Sequence, residues 1–346
     1  MTGFRHPPLA RDWIDAEHRR FEIGELPLES GATLRDAFVS YVIHGDLAHL
    51  RERTIVVATA IGATHHRLDF LIGPGAALDS DRHCVVAIDA LGNGLSSSPS
   101  NSIAQPGATF PRFTLRDMVA SQRRLLDHLG VGRVVAVVGA SMGGMQALQW
   151  AVSDPGRMAR VIAMTPMART SRWSQLVNEM ARRALFVDRD CRTPRRRGEA
   201  MRLWIPLSQL LMMRTPDAIE EFRTQDALVR WLDERATELA DDGPDAFDWC
   251  HQSWAYDAHD VGTTPGFGGD TLRALASIRA KTLILAPALD LYNPAFAARA
   301  ACEAIPGARF VALPGDDGHR SASGVSAGST DALRSAIRSF LAGTAG

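Results

Sequence analysis

A serine between two glycines carries the strongest chemical signature of this 346-residue sequence. The pattern Gly-x-Ser-x-Gly fills residues 139–143, directly after an apolar run at residues 134–138 and directly before a helical pattern. A buried strand, a sharp turn and a helix predict a nucleophile elbow, with the serine in a strained turn at the positive end of the helix. Gly139 and Gly143 would leave room where side chains would clash. Ser141 is therefore the predicted nucleophile. The alternatives are an ordinary serine in a Gly-rich turn between strand and helix, and a phosphate-binding loop.

A serine hydroxyl needs a general base, and the base needs an acid that fixes its tautomer. Asp290 follows the apolar run at residues 282–289, and His319 follows the next strand-like run at residues 309–313. The order serine, aspartate, histidine, with the last two after successive strands, is typical of enzymes that carry a nucleophile elbow. We therefore predict the catalytic set Ser141, Asp290 and His319. A helix cap is the alternative role for the aspartate, and an ordinary loop position for the histidine, one of eleven in the chain.

Other carboxylates and histidines compete for the roles of acid and base. The competitors are Asp316, Asp317, His65, His66 and His259. The two aspartates share the loop of His319, where turn formation is the more typical role of an aspartate. The three histidines lie at the wrong place in the strand order for the base, although His65 and His66 lie near the loop considered next.

Acyl transfer develops negative charge on a carbonyl oxygen, which backbone N–H groups must stabilise. One donor is expected directly after the nucleophile, and a second in a loop after an earlier strand. We predict the N–H groups of Met142 and Ala60, the latter at the end of the strand-like run at residues 54–60. Because the donors are backbone groups, these two assignments depend on position rather than on side-chain type.

Short β-branched runs alternate with helical patterns, which is typical of a mostly parallel sheet wrapped by helices. Buried strands are predicted at residues 54–60, 83–89, 133–138, 160–165, 282–286 and 309–313. An antiparallel pair of edge strands is predicted at residues 21–24 and 37–43, and an amphipathic helix at residues 115–129.

The strand pattern stops at about residue 167 and resumes at Thr282. The intervening segment is helical in pattern and interrupted by prolines. Because strands resume after it, we predict a helical cap at residues 167–270, inserted into a core of residues 1–166 and 271–346, rather than a separate C-terminal helical domain.

Composition excludes several classes of protein. Hydrophobic residues make up 46% of the chain, enough for a large core, and the formal net charge is −1, so no nucleic-acid or membrane partner is expected. Four cysteines without Cys-x-x-Cys spacing argue against a zinc site and a disulfide framework. We expect no metal and no bound organic cofactor. Residues 1–20 have no apolar signal core, which favours a cytoplasmic location.

Beyond the elbow, several motifs resemble the homoserine O-acetyltransferase family of α/β-hydrolase-fold enzymes. They lie at residues 72–75, 110–111, 114–119, 141–148 and 257–262. The resemblance runs over most of the chain and is weakest between residues 188 and 248. It implies the α/β-hydrolase fold with an inserted helical cap, an acyl-Ser141 intermediate, acetyl-CoA as donor and a hydroxy amino acid as acceptor. It also implies that Arg182 holds a substrate carboxylate and that the chain forms a homodimer through the cap; for Arg182, a place on the cap surface is the alternative.

Three departures weaken the comparison with that family. The family usually has an aspartate after the catalytic histidine, which helps to hold the substrate ammonium, whereas His319 is followed by Arg320. Residues 188–191 replace the Asp-Pro-x-Trp segment expected in the cap, and the turn at residues 89–96 resembles that of plain α/β hydrolases.

The charge of Arg320 would repel an ammonium group and therefore slightly favours a carboxylic-ester hydrolase. With Arg182, it also suggests a small anionic ester as substrate. The alternative is an acetyl-CoA-dependent O-acetyltransferase acting on homoserine or a similar small hydroxy acid. Both enzymes share the acyl-Ser141 intermediate and differ in whether water or a bound alcohol attacks it.

Overall fold

The computed structural model describes residue 6 and residues 8–343. Its strands are β1 (Arg19–Pro27), β2 (Thr33–His44), β3 (Thr54–Ala58), β4 (Ile72–Gly73), β5 (Leu78–Asp79), β6 (Cys84–Ile88), β7 (Val134–Ala140), β8 (Met158–Met164), β9 (Lys281–Pro287) and β10 (Arg309–Leu313). Eight of them form one sheet in the order β1-β2-β6-β3-β7-β8-β9-β10, and β4 pairs with β5 separately. The first two pairings, β1 with β2 and β2 with β6, are antiparallel, and the others are parallel.

Ten α-helices accompany the strands in the described residues. They are α1 (Leu115–His128), α2 (Met142–Ser153), α3 (Arg172–Leu185), α4 (Arg197–Leu207), α5 (Pro216–Ile219), α6 (Gln225–Asp242), α7 (Ala246–Asp257), α8 (Thr271–Ala276), α9 (Ala295–Ala304) and α10 (Ala327–Ala342). Shorter 3-10 helices lie at Leu47–His49, His65–Leu71, Gly107–Thr109, Val261–Thr263 and Gly318–Ala322, and a π-helical turn at Ser208–Met213. Among the described helices, none combines the length and the apolar character that a membrane span requires.

The predicted mostly parallel sheet flanked by helices is confirmed. Every residue of β3 and of β6 is buried, because helices cover both faces of the parallel part of the sheet. Each strand predicted to be buried is present, with boundaries shifted by at most two residues. The strand at residues 309–313 was wrongly predicted to be buried: β10 is the last strand of the sheet, and only Leu313 of it is buried. The predicted antiparallel pair also forms, although only β1 is an edge strand, since β2 pairs on its other side with β6.

The sheet register brings the predicted site residues to one edge. Ala58, the last residue of β3, is paired with Gly139 of β7, so the loop after β3 begins beside the elbow. On the other side of β7, β8 and then β9 and β10 follow in parallel. Because parallel strands end at the same edge, the loops that carry Asp290 and His319 lie at the same edge as Ser141.

The segment between β8 and β9 is helical, with α3 to α8 in sequence. Apolar side chains of α3, α4 and α7 share one buried cluster with Met142 and Met145 at the start of α2. These helices therefore pack against the elbow. The division into a core and a cap with boundaries near residues 167 and 270 stays a prediction.

Candidate active site

The turn after β7 has the backbone of a nucleophile elbow. Ser141 has φ 56° and ψ −124°, a strained conformation for a residue with a side chain. A Cβ atom at Gly139 would overlap the backbone of Gly143, and one at Gly143 would overlap the carbonyl oxygen of Ala58. The predicted reason for both glycines is therefore confirmed: the turn has no space for a side chain at either position.

A continuous hydrogen-bonded chain joins the three predicted catalytic side chains. Ser141 Oγ lies 2.8 Å from Nε2 of His319, and Nδ1 of the same ring lies 2.7 Å from Oδ2 of Asp290. The three residues are only 2%, 6% and 3% exposed. With Nδ1–H donating to the carboxylate, Nε2 is free to accept the serine proton, so the arrangement suits general-base activation of a nucleophile.

Backbone N–H groups hold Asp290, the acid of this hydrogen-bonded set of side chains. Oδ1 of Asp290 accepts hydrogen bonds from the N–H groups of Tyr292 at 2.9 Å and Asn293 at 2.8 Å, which leaves Oδ2 for His319. The alternative of a helix cap does not apply, because α9 begins after Pro294. The loop conformation after β9 thus fixes the direction of the carboxylate.

The competing histidines lie elsewhere and have other partners. Nε2 of His259 lies 3.2 Å from the carbonyl oxygen of Met167, and complete burial lowers the pKa of this imidazole to about 3. His65 and His66 contact the carboxylates of Asp89 and Asp69, which do not belong to the hydrogen-bonded set of Ser141, His319 and Asp290. The competing aspartates lie in the turn after β10, where the Asp317 carboxylate accepts from serine hydroxyls.

The predicted oxyanion donors lie at the ends of two adjacent elements, Met142 at the start of α2 and Ala60 just after β3. Nε2 of Gln146 donates to the carbonyl oxygen of Thr59 over 2.9 Å, and Oε1 of Gln146 accepts from Nε2 of Gln122 over 2.6 Å. The Thr59 carbonyl and the Ala60 N–H belong to one planar trans peptide, so they point in opposite directions. Gln146 therefore orients the Ala60 donor by holding the carbonyl of the same peptide.

A second glutamine, Gln252 of α7, also holds the loop after β3. Oε1 of Gln252 accepts from the N–H of Gly62 over 2.8 Å, and its Nε2 donates to the carbonyl oxygen of Leu91 over 3.0 Å. Sequence reasoning missed both glutamines. The sequence held a signal for Gln146, because it is a polar residue in a mostly apolar helix. For Gln252 there was none, since its partners lie 161 and 190 residues away in sequence.

Two buried tyrosines that sequence reasoning also missed lie beside the base. The rings of Tyr292 and His319 meet edge to face, with centroids 5.2 Å apart, and Tyr256 stacks on Tyr292 at 5.3 Å. Tyr292 Oη donates to Oδ1 of Asn178 over 2.6 Å, and Tyr256 Oη donates to Asn293. Burial raises the pKa of both phenols, so both stay protonated at neutral pH. The pair forms a buried aromatic wall beside the histidine.

Arg182 lies in α3 and is already engaged by internal partners. Its guanidinium forms ion pairs with Asp257 at 2.8 Å and with Glu179 at 3.2 Å, and donates to Ser253 Oγ over 2.9 Å. Burial alone would lower the pKa of Arg182, but the Asp257 carboxylate raises it above its ordinary value. The predicted contact with a substrate carboxylate stays a prediction, and it would have to compete with these two ion pairs.

Arg320 follows the base in the 3-10 helix Gly318–Ala322 and is half-buried. Its ion pair with Asp317 is long, 3.9 Å, and burial together with the nearby Arg214 lowers the pKa of its guanidinium. The structure thus keeps a positive charge within one residue of His319. A role in substrate binding stays a prediction for this residue.

Comparison with known proteins places this geometry in a family. The sequence profile described as alpha/beta hydrolase fold matches residues 55–320, more than three quarters of the chain. The protein belongs to the α/β-hydrolase fold family. The buried Ser141–His319–Asp290 chain therefore lies in the family that the elbow and the strand order predicted.

Curated relatives of the chain include homoserine acyltransferases. The homoserine O-succinyltransferase of Leptothrix cholodnii is 38% identical over 183 residues, which is 48% of this chain and 48% of the relative. The homoserine O-acetyltransferase of Methanosalsum zhilinae is 37% identical over 181 residues, 47% of this chain and 37% of the relative. The chain therefore spans about half the length of the curated relatives it matches, or less.

Similar solved structures include both esterases and transferases. The acetyl esterase MekB has a TM-score of 0.85 and 27% identity, over 94% of this chain and 97% of that chain. The homoserine O-acetyltransferase of Bacillus anthracis has a TM-score of 0.81 over 94% of this chain and 97% of that chain. Its sequence identity is 21%, so this similarity shows the fold alone.

These findings confirm the predicted fold and the predicted resemblance to homoserine O-acetyltransferases. They also agree with the predicted enzyme class, a serine ester hydrolase or O-acyltransferase. Between the two, the relatives support the transferase alternative better than the ester hydrolase that the charge of Arg320 favoured.

Proposed function

We propose that this protein is an acyl-CoA-dependent O-acyltransferase that carries the acyl group on Ser141 and delivers it to the hydroxyl of homoserine or a similar small hydroxy acid. The observation that carries the proposal is the buried, hydrogen-bonded chain of Ser141, His319 and Asp290. The names of the relatives supply the acceptor class and the acyl group, acetyl or succinyl, and the CoA thioester is the donor that the family resemblance implies.

In the first half-reaction, Ser141 Oγ attacks the thioester carbonyl while Nε2 of His319 takes the hydroxyl proton. Charge builds on the carbonyl oxygen, where the N–H groups of Met142 and Ala60 would stabilise it. The carbon–sulfur bond then breaks, and the departing thiolate takes the proton from His319 to leave as CoA. Asp290 keeps the ring oriented and stabilises its protonated form.

In the second half-reaction, the acceptor hydroxyl gives its proton to His319 and its oxygen attacks the acyl carbonyl. The bond to Ser141 Oγ breaks, and the serine recovers the proton. Ser141 is 2% exposed and lies under the cluster of α3, α4 and α7, with Tyr256 and Tyr292 beside the base. Restricted access of bulk water supports transfer to a bound alcohol over hydrolysis.

An acetyl-ester hydrolase is the second candidate, and one observation favours it. The acetyl esterase MekB matches 94% of this chain at 27% identity, a longer match than the half-chain similarity to the homoserine acyltransferases. Arg320 points the same way, since its charge disfavours an ammonium-bearing acceptor. In this function, water would replace the alcohol in the second half-reaction.

The test measures free thiol released from acetyl-CoA and from succinyl-CoA, each with and without L-homoserine, and p-nitrophenol released from p-nitrophenyl acetate. The transferase predicts thiol release that depends on homoserine, together with the O-acyl product. Release that is the same without homoserine would replace the transferase by the hydrolase. Ser141→Ala should abolish every activity and the mass increase of the acyl-enzyme, and a fully active variant would contradict both functions.

Arg320→Asp tests the acceptor site separately. If the guanidinium repels the acceptor ammonium, the variant should lower the KM for homoserine, while Arg133→Asp on the exposed surface should leave it unchanged. An unaltered KM in Arg320→Asp would remove the charge argument. The homodimer through the cap, the cytoplasmic location and the expectation of small-molecule partners without nucleic acid or membrane stay predictions.

A further inference from the structure

Four imidazoles converge behind the loop that carries the predicted oxyanion donor. They belong to His6, His18, His65 and His66, and one ring nitrogen from each lies within 4.8 Å of all the others. The last two open the 3-10 helix directly after the loop, and His18 immediately precedes β1. His65 and His66 pair with Asp89 and Asp69 rather than with Ser141, His319 or Asp290, so the proposed function leaves this cluster unexplained.

Two of the rings are held by carboxylates in the way that metal-binding histidines are held. Nδ1 of His65 lies 3.0 Å from Oδ2 of Asp89, and Nδ1 of His66 lies 2.6 Å from Oδ2 of Asp69. These two histidines and the two aspartates are buried, whereas His6 and His18 are half-buried. A carboxylate that accepts from Nδ1–H leaves Nε2 as the nitrogen with a free lone pair, which is the usual outer shell of a metal-ligating histidine.

One of these nitrogens is buried without a partner. His65 is fully buried, and within the described residues its Nε2 has no hydrogen-bond partner. An unsatisfied buried nitrogen is costly, and such a group calls for an explanation by a bound water or ion. Its ring centroid lies 4.1 Å from that of His66 and 4.6 Å from that of His18, so the nitrogen belongs to the cluster.

The other members already approach ligand spacing. Nε2 of His66 and Nε2 of His6 are hydrogen-bonded over 2.9 Å, so a bound ion would replace the proton that they share. In a tetrahedral site with metal–nitrogen bonds of about 2.0–2.1 Å, the nitrogens stand about 3.3 Å apart, so small ring movements suffice.

The site also has a rigid wall and an entry path. The indole of Trp13 stacks on the ring of His66, with centroids 4.3 Å apart and planes 9° from parallel. Both residues line a cavity of about 1300 Å³, which would give an ion access to the cluster. Ligand number, second shell and access are the features that a metal site must show together.

We propose that His6, His18, His65 and His66 bind one divalent ion of the Zn²⁺ class in a closed, all-imidazole site. Imidazole nitrogens without carboxylate or water ligands select Zn²⁺ and related transition ions over Mg²⁺ and Ca²⁺. Four protein ligands fill a tetrahedral shell, which is the pattern of a structural rather than a catalytic zinc site. The ion would connect the segment before β1 to the loop after β3.

The test uses the full chain, stripped with a chelator and titrated with Zn²⁺ alone under calorimetry, and with Co²⁺ alone under visible spectroscopy. We expect one ion per chain, the intense absorption of tetrahedral Co²⁺, and a Tm raised by about 2–5 °C at saturating Zn²⁺. His65→Ala should weaken Zn²⁺ binding by at least the roughly 10–100-fold that loss of a mere outer-shell partner costs.

Two further variants keep the proposal falsifiable. His18→Ala, at a half-buried position, should lose binding in the same way even if His65→Ala folds poorly. His128→Ala, on the exposed end of α1, should bind Zn²⁺ like the parent chain. Absence of tight binding by the parent chain, a binding constant unchanged by His18→Ala, or an octahedral Co²⁺ spectrum would each overturn the site.

Discussion

Gln146→Leu tests whether a buried amide positions the oxyanion hole. The parent side chain donates to the Thr59 carbonyl and accepts from Gln122, which in turn accepts from the indole N–H of Trp150. Leucine has a similar size and fills the space without replacing either hydrogen bond. The Thr59–Ala60 peptide would then lose the contact that fixes its orientation, and the Ala60 N–H with it.

The structure allows the magnitude of both effects to be worked out. The variant leaves one carbonyl and one amide N–H unsatisfied in a site that is at most 1% exposed, at about 1–3 kcal/mol for each group. The free energy of unfolding should therefore fall by about 2–6 kcal/mol. A misdirected oxyanion donor costs about 10²-fold in kcat, and complete loss of one costs about 10²–10³-fold. We expect kcat to fall by about 10²-fold, with a smaller change in KM.

Gln149→Leu is the matched control. Gln149 lies on the same helix, is fully buried, and donates to Ser153 and Thr264, but it does not contact the loop after β3. Urea unfolding should show a comparable loss of stability in both variants, while acyl transfer, measured well below the Tm, should fall only in Gln146→Leu. If the two variants had kcat values within about twofold of each other, the positioning role of Gln146 would be refuted.

Two further predictions concern stability. Burial raises the pKa of Asp248 to about 8, whereas an aspartate in the unfolded chain has a pKa near 3.9. Between these two values the aspartate ionises only in the unfolded chain, so the free energy of unfolding of the parent chain falls as pH rises. Asp248→Asn should therefore gain on the parent chain by about 1.4 kcal/mol per pH unit between pH 5 and 7 in urea unfolding, an effect absent from the exposed Asp331→Asn. Gly143→Ala places a methyl group against the Ala58 carbonyl and should lower the free energy of unfolding by about 3 kcal/mol or more, or prevent folding. The control Gly156→Ala has open space around the new methyl group and should leave the Tm within a few degrees. Equal Tm values for the two variants would contradict the steric argument.

The fold and the Ser141 chain were predictable because both depend on local pattern and chain order. Fully buried parallel strands are uninterrupted apolar runs, which is how β3 and β6 appear in the sequence. Parallel strands of one sheet end at one edge, so Asp290 and His319, each placed after a strand, had to approach the elbow.

The supporting contacts were not predictable, because they join residues far apart in sequence. Gln146 and Thr59 are 87 residues apart, and Gln252 and Gly62 are 190 apart. The same holds for the cluster of four histidines: the expectation of no metal came from cysteine spacing, and histidines at positions 6, 18, 65 and 66 form no familiar ligand pattern. For Arg182, the residue type alone could not identify the partner. A guanidinium pairs equally well with a carboxylate of the substrate or of the protein, and in the structure it pairs with Glu179 and Asp257.

These contacts converge on the short loop between β3 and the 3-10 helix at His65. Gln146 holds its first peptide from α2, Gln252 holds Gly62 from α7, and the proposed zinc site would hold its far end. A hydrogen-bond donor stabilises a developing charge most when it needs no reorganisation during the reaction, so a loop fixed at three points is suited to carry one. Gln252 lies on α7, so the position of that helix also sets the position of Gly62, two residues from the predicted donor at Ala60. In the proposed function, the serine, histidine and aspartate perform the same chemistry whether water or an alcohol accepts the acyl group, so they cannot by themselves select the acceptor.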